Sequence, residues 1–255
     1  MKNGAILYNR EDSLAMITLN NPAAGNIINT WIVAELSDIC DEISGDDGIR
    51  TVILTGKENF SKGTDRQELA QEEERENLIE RLSISSLIGN LDRPTIAAIA
   101  GDAFGQGLEM ALACDIRICT NNARFSMDHA NFGDIPWDGG TQRLARLVGR
   151  GNALQMILCP EIIDAAEAYR IGLVGRVVPA LELMKEAAIT AREIAAKGPI
   201  ALRYVREAVY KGMDLTLAQG LRLEADLYFL LHTTRDRTEG ITAFREKRIP
   251  HFTGR

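Results

Sequence analysis

Gly105-Gln106-Gly107 follows an apolar stretch and opens a helical pattern, with an acid, Glu109, inside its first turn. Small residues at a helix start leave backbone N–H groups unpaired at the positive end of the helix dipole. That setting suits an oxygen that turns negative during a reaction. An acid beside such a hole is a candidate for proton transfer. A second polar cluster containing His129 comes twenty positions later, and imidazole also moves protons near neutral pH. Donors, acid and imidazole in this order point to an enzyme.

The elements that must position these residues alternate along the chain. Leu14–Leu19, Thr51–Thr55, Thr95–Ile99 and Ile116–Cys119 are short, apolar and rich in Ile, Val or Thr, and they read as buried strands. Between the first two, residues 30–44 carry Val33, Leu36, Ile39, Cys40 and Ile43 at helical spacing, with acids on the other face. Strand, helix and strand in succession imply right-handed crossovers and parallel pairing. Residues 67–91 read as one long helix whose first part, Gln71–Arg81, is acidic. Such a charge run is ordinarily a solvated face, though its place after Gly63-Thr64-Asp65 also suits a pocket wall. From Thr141 onward helical patterns dominate, over 165–171, 181–197, 200–211, 215–231 and 239–247, and Arg176–Val178 reads as one more strand. The expectation is an α/β core over residues 1–190 and a helical region over 191–255.

Bulk properties narrow the function classes. The 255 residues are 45% hydrophobic, enough for a large core. A net charge of -7 disfavours non-specific binding to nucleic acid or to anionic membranes. No apolar run approaches the ~20 residues of a membrane span. The N-terminal stretch MKNGAILYNREDS lacks the apolar region of a secretory signal, so a cytoplasmic protein is expected. Cys40, Cys114, Cys119 and Cys159 form no CxxC pair and have no histidines at zinc spacing. They read as buried reduced thiols, and no motif calls for a metal.

Taken in order, the motifs resemble those of the enoyl-CoA hydratase/isomerase (crotonase) family. The run Arg93-Pro94-Thr95-Ile96-Ala97-Ala98-Ile99 leads to Gly105-Gln106-Gly107-Leu108-Glu109 and Ala113-Cys114-Asp115-Ile116-Arg117. Asn59-Phe60-Ser61-Lys62-Gly63-Thr64-Asp65 precedes it, and Gly139-Gly140-Thr141-Gln142-Arg143-Leu144 and the tail around Gly240 to Arg248 follow. A lone GxG would be weak; this ordered set spans about Asn20 to Phe252. The resemblance implies an α/β, crotonase-like spiral of ββα units with a helical C-terminal trimerisation region. It also implies a homotrimer or dimer of trimers and an acyl-CoA thioester as ligand. Coenzyme A would come as part of the substrate, with no other cofactor.

By motif position the resemblance assigns two backbone N–H donors for the thioester oxygen to Thr64 and Gln106. Many relatives have three glycines at the second site, so Gln106 is a departure whose side chain could crowd the pocket. Glu109 matches one of two catalytic glutamates of the hydratases, and His129 stands where the second would be. Three readings follow. His129 could itself be the acid/base, or Glu109 could work alone with His129 holding the substrate, or His129 could be a packed histidine with no chemical role. Asp138 is displaced by one place from a slot that carries a working aspartate in some relatives; the alternative is a cap on the helix beginning at Gly139. Trp137 is read as narrowing the acyl pocket or as a core aromatic. The resemblance places coenzyme A along Asn26, Ile27, Ser61, Lys62, Gly63, Asp65 and Gly105, with Tyr228 near the adenine and Lys247 at the phosphates, often from an adjoining subunit.

The leading reading is an enzyme that adds water to a 2-enoyl-CoA through an enolate, Glu109 and His129 sharing the proton work. Isomerase, decarboxylase and thioester hydrolase are the alternatives within the family. A catalytically weak CoA-binding relative is the alternative from another class. RNA-binding relatives use a lysine-rich helix where Gln71–Arg81 is acidic, which argues against RNA.

Overall fold

The computed structural model describes residues 4–71 and 75–255. In chain order the elements are β1 (Ile6–Glu11), β2 (Leu14–Leu19), α1 (Thr30–Gly45), β3 (Thr51–Gly56), α2 (Arg66–Gln71), α3 (Arg75–Leu82) and α4 (Ser85–Gly89). There follow β4 (Thr95–Ile99), β5 (Asp102–Phe104), α5 (Gln106–Ala113), β6 (Ile116–Thr120), β7 (Arg124–Ser126) and α6 (Gly140–Leu158). The chain ends with β8 (Ile163–Asp164), α7 (Ala165–Arg170), β9 (Arg176–Val178), α8 (Leu183–Ala195), α9 (Pro199–Gly212), α10 (Leu217–Leu231) and α11 (Arg235–Glu246).

Six strands form the main sheet in the order β1-β2-β3-β4-β6-β9, and β5-β7-β8 form a second, smaller sheet. From β2 to β9 every neighbour in the main sheet is parallel, as the alternation of elements predicts. Both faces of this sheet are covered, which is why its strands read as unbroken apolar runs. Val52, Leu54, Ala97 and Ile99 point into the main core with α1 and α5. Ile53, Ile96, Ala98 and Ile118 point the other way, onto Leu183, Ala187 and Ala191 of α8. Spacing of four residues puts these α8 side chains on one stripe, and the alanines let the helix lie close to the sheet. The division expected near residue 190 falls within α8.

Several expectations change. β1 pairs antiparallel with β2, so the sheet has one antiparallel edge. The stretch expected as one helix over 67–91 is broken at Ser83-Ile84, and α4 starts afresh at Ser85. The break frees the N–H groups of Ile84 and Ser85 for the Asp138 carboxylate (3.1 and 3.0 Å), a partner that no local pattern announces. For the acidic run, Glu72 to Glu74 lie outside the described residues. Of the four cysteines, Cys40, Cys114 and Cys119 are buried as expected, whereas Cys159 is exposed. Burial alone pushes the Cys119 thiol up to about 12, which suppresses its thiolate.

The family-like motif residue Asp115 joins α9 to the core. Its carboxylate accepts from Arg206 Nε (2.9 Å), from the Tyr210 hydroxyl (2.7 Å) and from Thr95 N (2.8 Å). Burial, then the Asp115 charge, pushes the Tyr210 hydroxyl up to about 12, so it stays a donor. Arg206 and Asp115 are both mostly buried, and removing one partner of such a pair leaves the other uncompensated. Asp115→Ala is therefore expected to lower stability by about 3 kcal/mol. Chemical denaturation of the variant beside the parent checks this; an unchanged midpoint would mean that α9 docks without the pair.

Candidate active site

Three loops deliver the site, and the small sheet sets their spacing. The turn after β3 runs beside β5: Ser61 N donates to Asp102 O (2.9 Å) and Phe104 N donates to Ser61 O (3.0 Å). β5 in turn pairs with β7, and Gly105 N donates to Ser126 O (2.9 Å). The residues that follow these stretches, Thr64, Gln106 and His129, are thereby brought to one end of the ladder.

A Cβ on Gly63 would stand 3.5 Å from the amide nitrogen of Gln106 and 3.1 Å from Phe104 O. That spacing is the closeness of the two predicted donor loops, and it needs glycine: Gly63 has φ +94°. Gln106 is the first residue of α5, so its N–H precedes the first intrahelical bond. Thr64 bridges to Ile28 through its neighbours, with Ile28 N on Gly63 O and Asp65 N on Ile28 O. Among the described residues, neither the Thr64 nor the Gln106 N–H donates to a backbone carbonyl. Two N–H groups on adjoining turns, one at a helix start, are thus left without a backbone acceptor, the kind of donor that can stabilise a developing oxyanion.

Glu109 lies on α5 with no solvent exposure. Its Oε1 accepts from Asp138 N (2.9 Å) and Gly140 N (2.7 Å), the turn that starts α6. Its Oε2 faces His129 Nε2 at 3.3 Å. His129, in the short helical turn Asp128–Phe132, is 3% exposed, and Glu109 Oε2 and His129 Nδ1 have no hydrogen-bond partner. One carboxylate oxygen is fixed by the backbone; the other shares a buried space with an imidazole. Arg66 at the start of α2 stacks over Phe132 of the same turn as His129, 3.1 Å from the ring centroid. Burial lowers the Arg66 pKa, while Asp128 and Asp134 act against that.

The chain belongs to the enoyl-CoA hydratase/isomerase family. The model of that family matches residues 9–255. The chain is 38% identical over 252 residues to the crotonyl-CoA hydratase of Syntrophomonas wolfei, covering 97% of each. It is 37% identical over 253 residues to the short-chain-enoyl-CoA hydratase of Clostridium acetobutylicum, covering 95% of each. Among solved structures, the enoyl-CoA hydratase of Bacillus anthracis superposes with a TM-score of 0.95 at 36% identity, over 98% of this chain and 100% of that one. The expected family and the mixed α/β fold are thus both found.

Other residues singled out by the family resemblance fall into distinct places. Asp138 is 5% exposed, and its carboxylate accepts from Ser83 Oγ, Ile84 N, Ser85 N and Gln106 Nε2. It caps α4, across 54 positions, not the helix that begins beside it. Gln106 does not project into the opening: its side chain is fully buried between Thr64, Leu82 and Asp138. Trp137 is half-buried against the main core. Asn26 holds its own turn, with Oδ1 accepting from Asn21 N and Nδ2 donating to Lys57 O and Asn59 O. Ser61 Oγ donates to Asn26 O and accepts from Gly63 N, and Asp65 caps α2. Along this side, then, Asn26 and Ser61 shape the turns, leaving Ile27 and Lys62 as the more open neighbours. Lys62 Nζ sits 3.8 Å from the buried Asp102, which Arg124 also grips (2.8 and 2.9 Å). Tyr228 on α10 and Lys247, which closes α11 with φ +55°, are exposed and make no hydrogen bond to the residues above. Sequence reasoning missed Ser83 and the α4 start as part of the site; nothing local to those residues marks them.

Gly140 is held close to the acid. A Cβ there would meet Glu109 Oε1 at 2.8 Å and Pro136 Cβ at 2.8 Å. Gly140→Ala is expected to displace the carboxylate and to cut kcat about 100-fold. Steady-state kinetics, with circular dichroism to verify folding, checks this; a folded variant at full kcat would dissociate Glu109 placement from turnover.

Proposed function

We propose that this chain hydrates 2-enoyl-CoA thioesters, with Glu109 and His129 as the proton-transfer pair. The observation that carries the reading is the buried Oε2–Nε2 approach of 3.3 Å, with Oε2 and Nδ1 unpartnered, in a site whose Thr64 and Gln106 N–H groups have no backbone acceptor. The names of the relatives from S. wolfei and C. acetobutylicum support the same reaction class. The thioester oxygen sits between the Thr64 and Gln106 N–H groups. Water held by the pair gives its oxygen to C3 and a proton to the pair; the C2=C3 electrons move to the thioester oxygen as an enolate. The enolate then collapses and takes a proton at C2 from the pair, so one water is gained and the pair is restored. Glu109 is fit for this because its Oε1 is fixed by two N–H groups while Oε2 has no hydrogen-bond partner and faces His129. A held geometry of this kind and two oxyanion donors each lower the barrier by several kcal/mol in comparable sites. Coenzyme A enters only as the carrier of the acyl group.

The same proposal extends to assembly and place. α9 to α11 expose Val209, Met213, Leu217, Phe229 and Phe244, an apolar surface suited to a homotrimer or a dimer of trimers through residues 191–255. Tyr228 and Lys247 would then reach coenzyme A from an adjoining subunit. No helix among the described residues is long and apolar enough to cross a membrane. With reduced thiols and an acidic surface, the chain is assigned to the cytoplasm, acting on acyl-CoA in fatty-acid metabolism without nucleic acid or membrane partners.

The test is mass spectrometry on straight, branched and cyclic 2-enoyl-CoAs run in D2O. The expected product is the intact thioester plus one water, with deuterium at C2. Glu109→Gln is expected to lower kcat by at least ~10³, and His129→Ala by about 10² to 10³. A product with only a moved double bond, lost CO2 or free coenzyme A would replace hydration by isomerase, decarboxylase or hydrolase chemistry. Full hydration by Glu109→Gln would remove the pair from the mechanism.

A further inference from the structure

The two residues that offer oxyanion N–H groups also bond to each other through their side chains. Thr64 Oγ1 donates to Gln106 Oε1 at 2.8 Å. At its other end, Gln106 Nε2 donates to Leu82 O (2.5 Å) and to Asp138 Oδ2 (3.1 Å). The orientation of this amide is fixed by its surroundings. Leu82 O and Asp138 Oδ2 only accept, so the nitrogen must face them, and the oxygen is left to accept from the Thr64 hydroxyl. The amide is wholly buried, so turning it over would set its oxygen against the acceptors Leu82 O and Asp138 Oδ2 and leave its N–H groups without them.

Asp138 ties this arrangement to the acid. Its side chain holds Gln106, while its backbone N–H holds Glu109 Oε1 at 2.9 Å. It is itself immobilised by Ser83 Oγ and the first N–H groups of α4. The connected path is Thr64 to Gln106, to Asp138, to Glu109, to His129.

We infer that Thr64 and Gln106 use their side chains to clamp the oxyanion donors of their own backbones, with Asp138 anchoring the clamp and setting its distance from the acid. Thr64 and Gln106 supply the donors by their backbones, and their side chains act as positioning groups. The clamp holds two N–H groups on separate turns at a fixed separation before the oxygen charge develops, which is the condition under which such donors lower a barrier. This rests on the oxyanion role proposed above.

The test reads the clamp without requiring turnover. Acetoacetyl-CoA is a 1,3-dicarbonyl thioester whose enolate absorbs in the near ultraviolet, so the enolate fraction of the bound ligand can be titrated directly. The variants are Thr64→Val, which deletes the hydroxyl but keeps the N–H, Thr64→Ser, which restores a hydroxyl, and Gln106→Met. Thr64→Val is expected to lower the ratio of bound enolate to neutral ligand about tenfold, the scale of one lost hydrogen bond. Affinity for coenzyme A itself, measured by calorimetry, is expected to hold within about twofold. Thr64→Ser is expected to recover most of the lost enolate, and Gln106→Met to fall at least as far as Thr64→Val. On enoyl-CoA the expected pattern is a loss in kcat with KM little changed. A folded Thr64→Val with the parent's enolate ratio would overturn the clamp while leaving the oxyanion role standing. A parent protein that binds acetoacetyl-CoA without favouring its enolate would overturn the oxyanion role, and the clamp with it.

Discussion

A fully buried carboxylate inside α5 is the constraint on which the rest of the structure depends. Glu109 is shut off from bulk solvent, and a carboxyl group so buried needs donors, which here converge on Oε1 and leave Oε2 to His129. The donors are the N–H groups of Asp138 and Gly140, so the loop ahead of α6 must pass within hydrogen-bond reach of α5. That loop cannot hold its own position. It is held by the Asp138 side chain on the start of α4 and by Arg143, which donates to Asp138 O at 3.0 Å. The break between α3 and α4 is a consequence of the same demand, since a continuous helix would consume the N–H groups that Asp138 needs.

The oxyanion side obeys a different constraint, that of backbone ladders. The turn after β3, β5 and β7 are stacked by main-chain hydrogen bonds, and each ends in a residue of the site. Displacement of one turn would break bonds in its neighbours, so three short stretches behave as a unit. The larger sheet contributes by fixing where those turns begin: β3 and β4 are paired from Val52 to Thr55, and the turns leave their C-terminal ends. This is the usual location of sites on parallel sheets, outside the carboxyl ends of the strands.

The sequence was most legible where burial is simple. Strands covered on both faces show as apolar runs, and Thr95–Ile99 and Leu14–Leu19 match the observed strands to the residue. That Glu109 lies beside His129, and the Gly63 turn beside Gln106, was legible through the ordered family motifs. What could not be read are features whose cause lies far along the chain. β8 is two residues long and exists because β7 offers it an edge. The helix break at Ser83 is explained by an aspartate 55 positions away. Gln106 raised the expectation of a crowded pocket because its rotamer is set by Leu82 and Asp138, neither of which is near it in sequence. The two readings of Asp138, a displaced working acid or a cap on the helix at Gly139, leave out its bonds to the α4 start for the same reason.

The histidine at position 129 changes the charge arithmetic of the site. Two carboxylates buried about 3 Å apart repel, and such a pair keeps a proton simply to avoid two adjacent charges. A carboxylate beside an imidazole has no like-charge repulsion of this kind, because an imidazole is neutral or positive and never an anion here. An enolate forming nearby then meets less repulsion than it would from two acids. His129 Nδ1 is buried without a hydrogen-bond partner, while Nε2 lies 3.3 Å from Glu109 Oε2. In the proposed hydration, histidine at this position supplies a group able to hold and pass a proton while adding no negative charge beside the enolate.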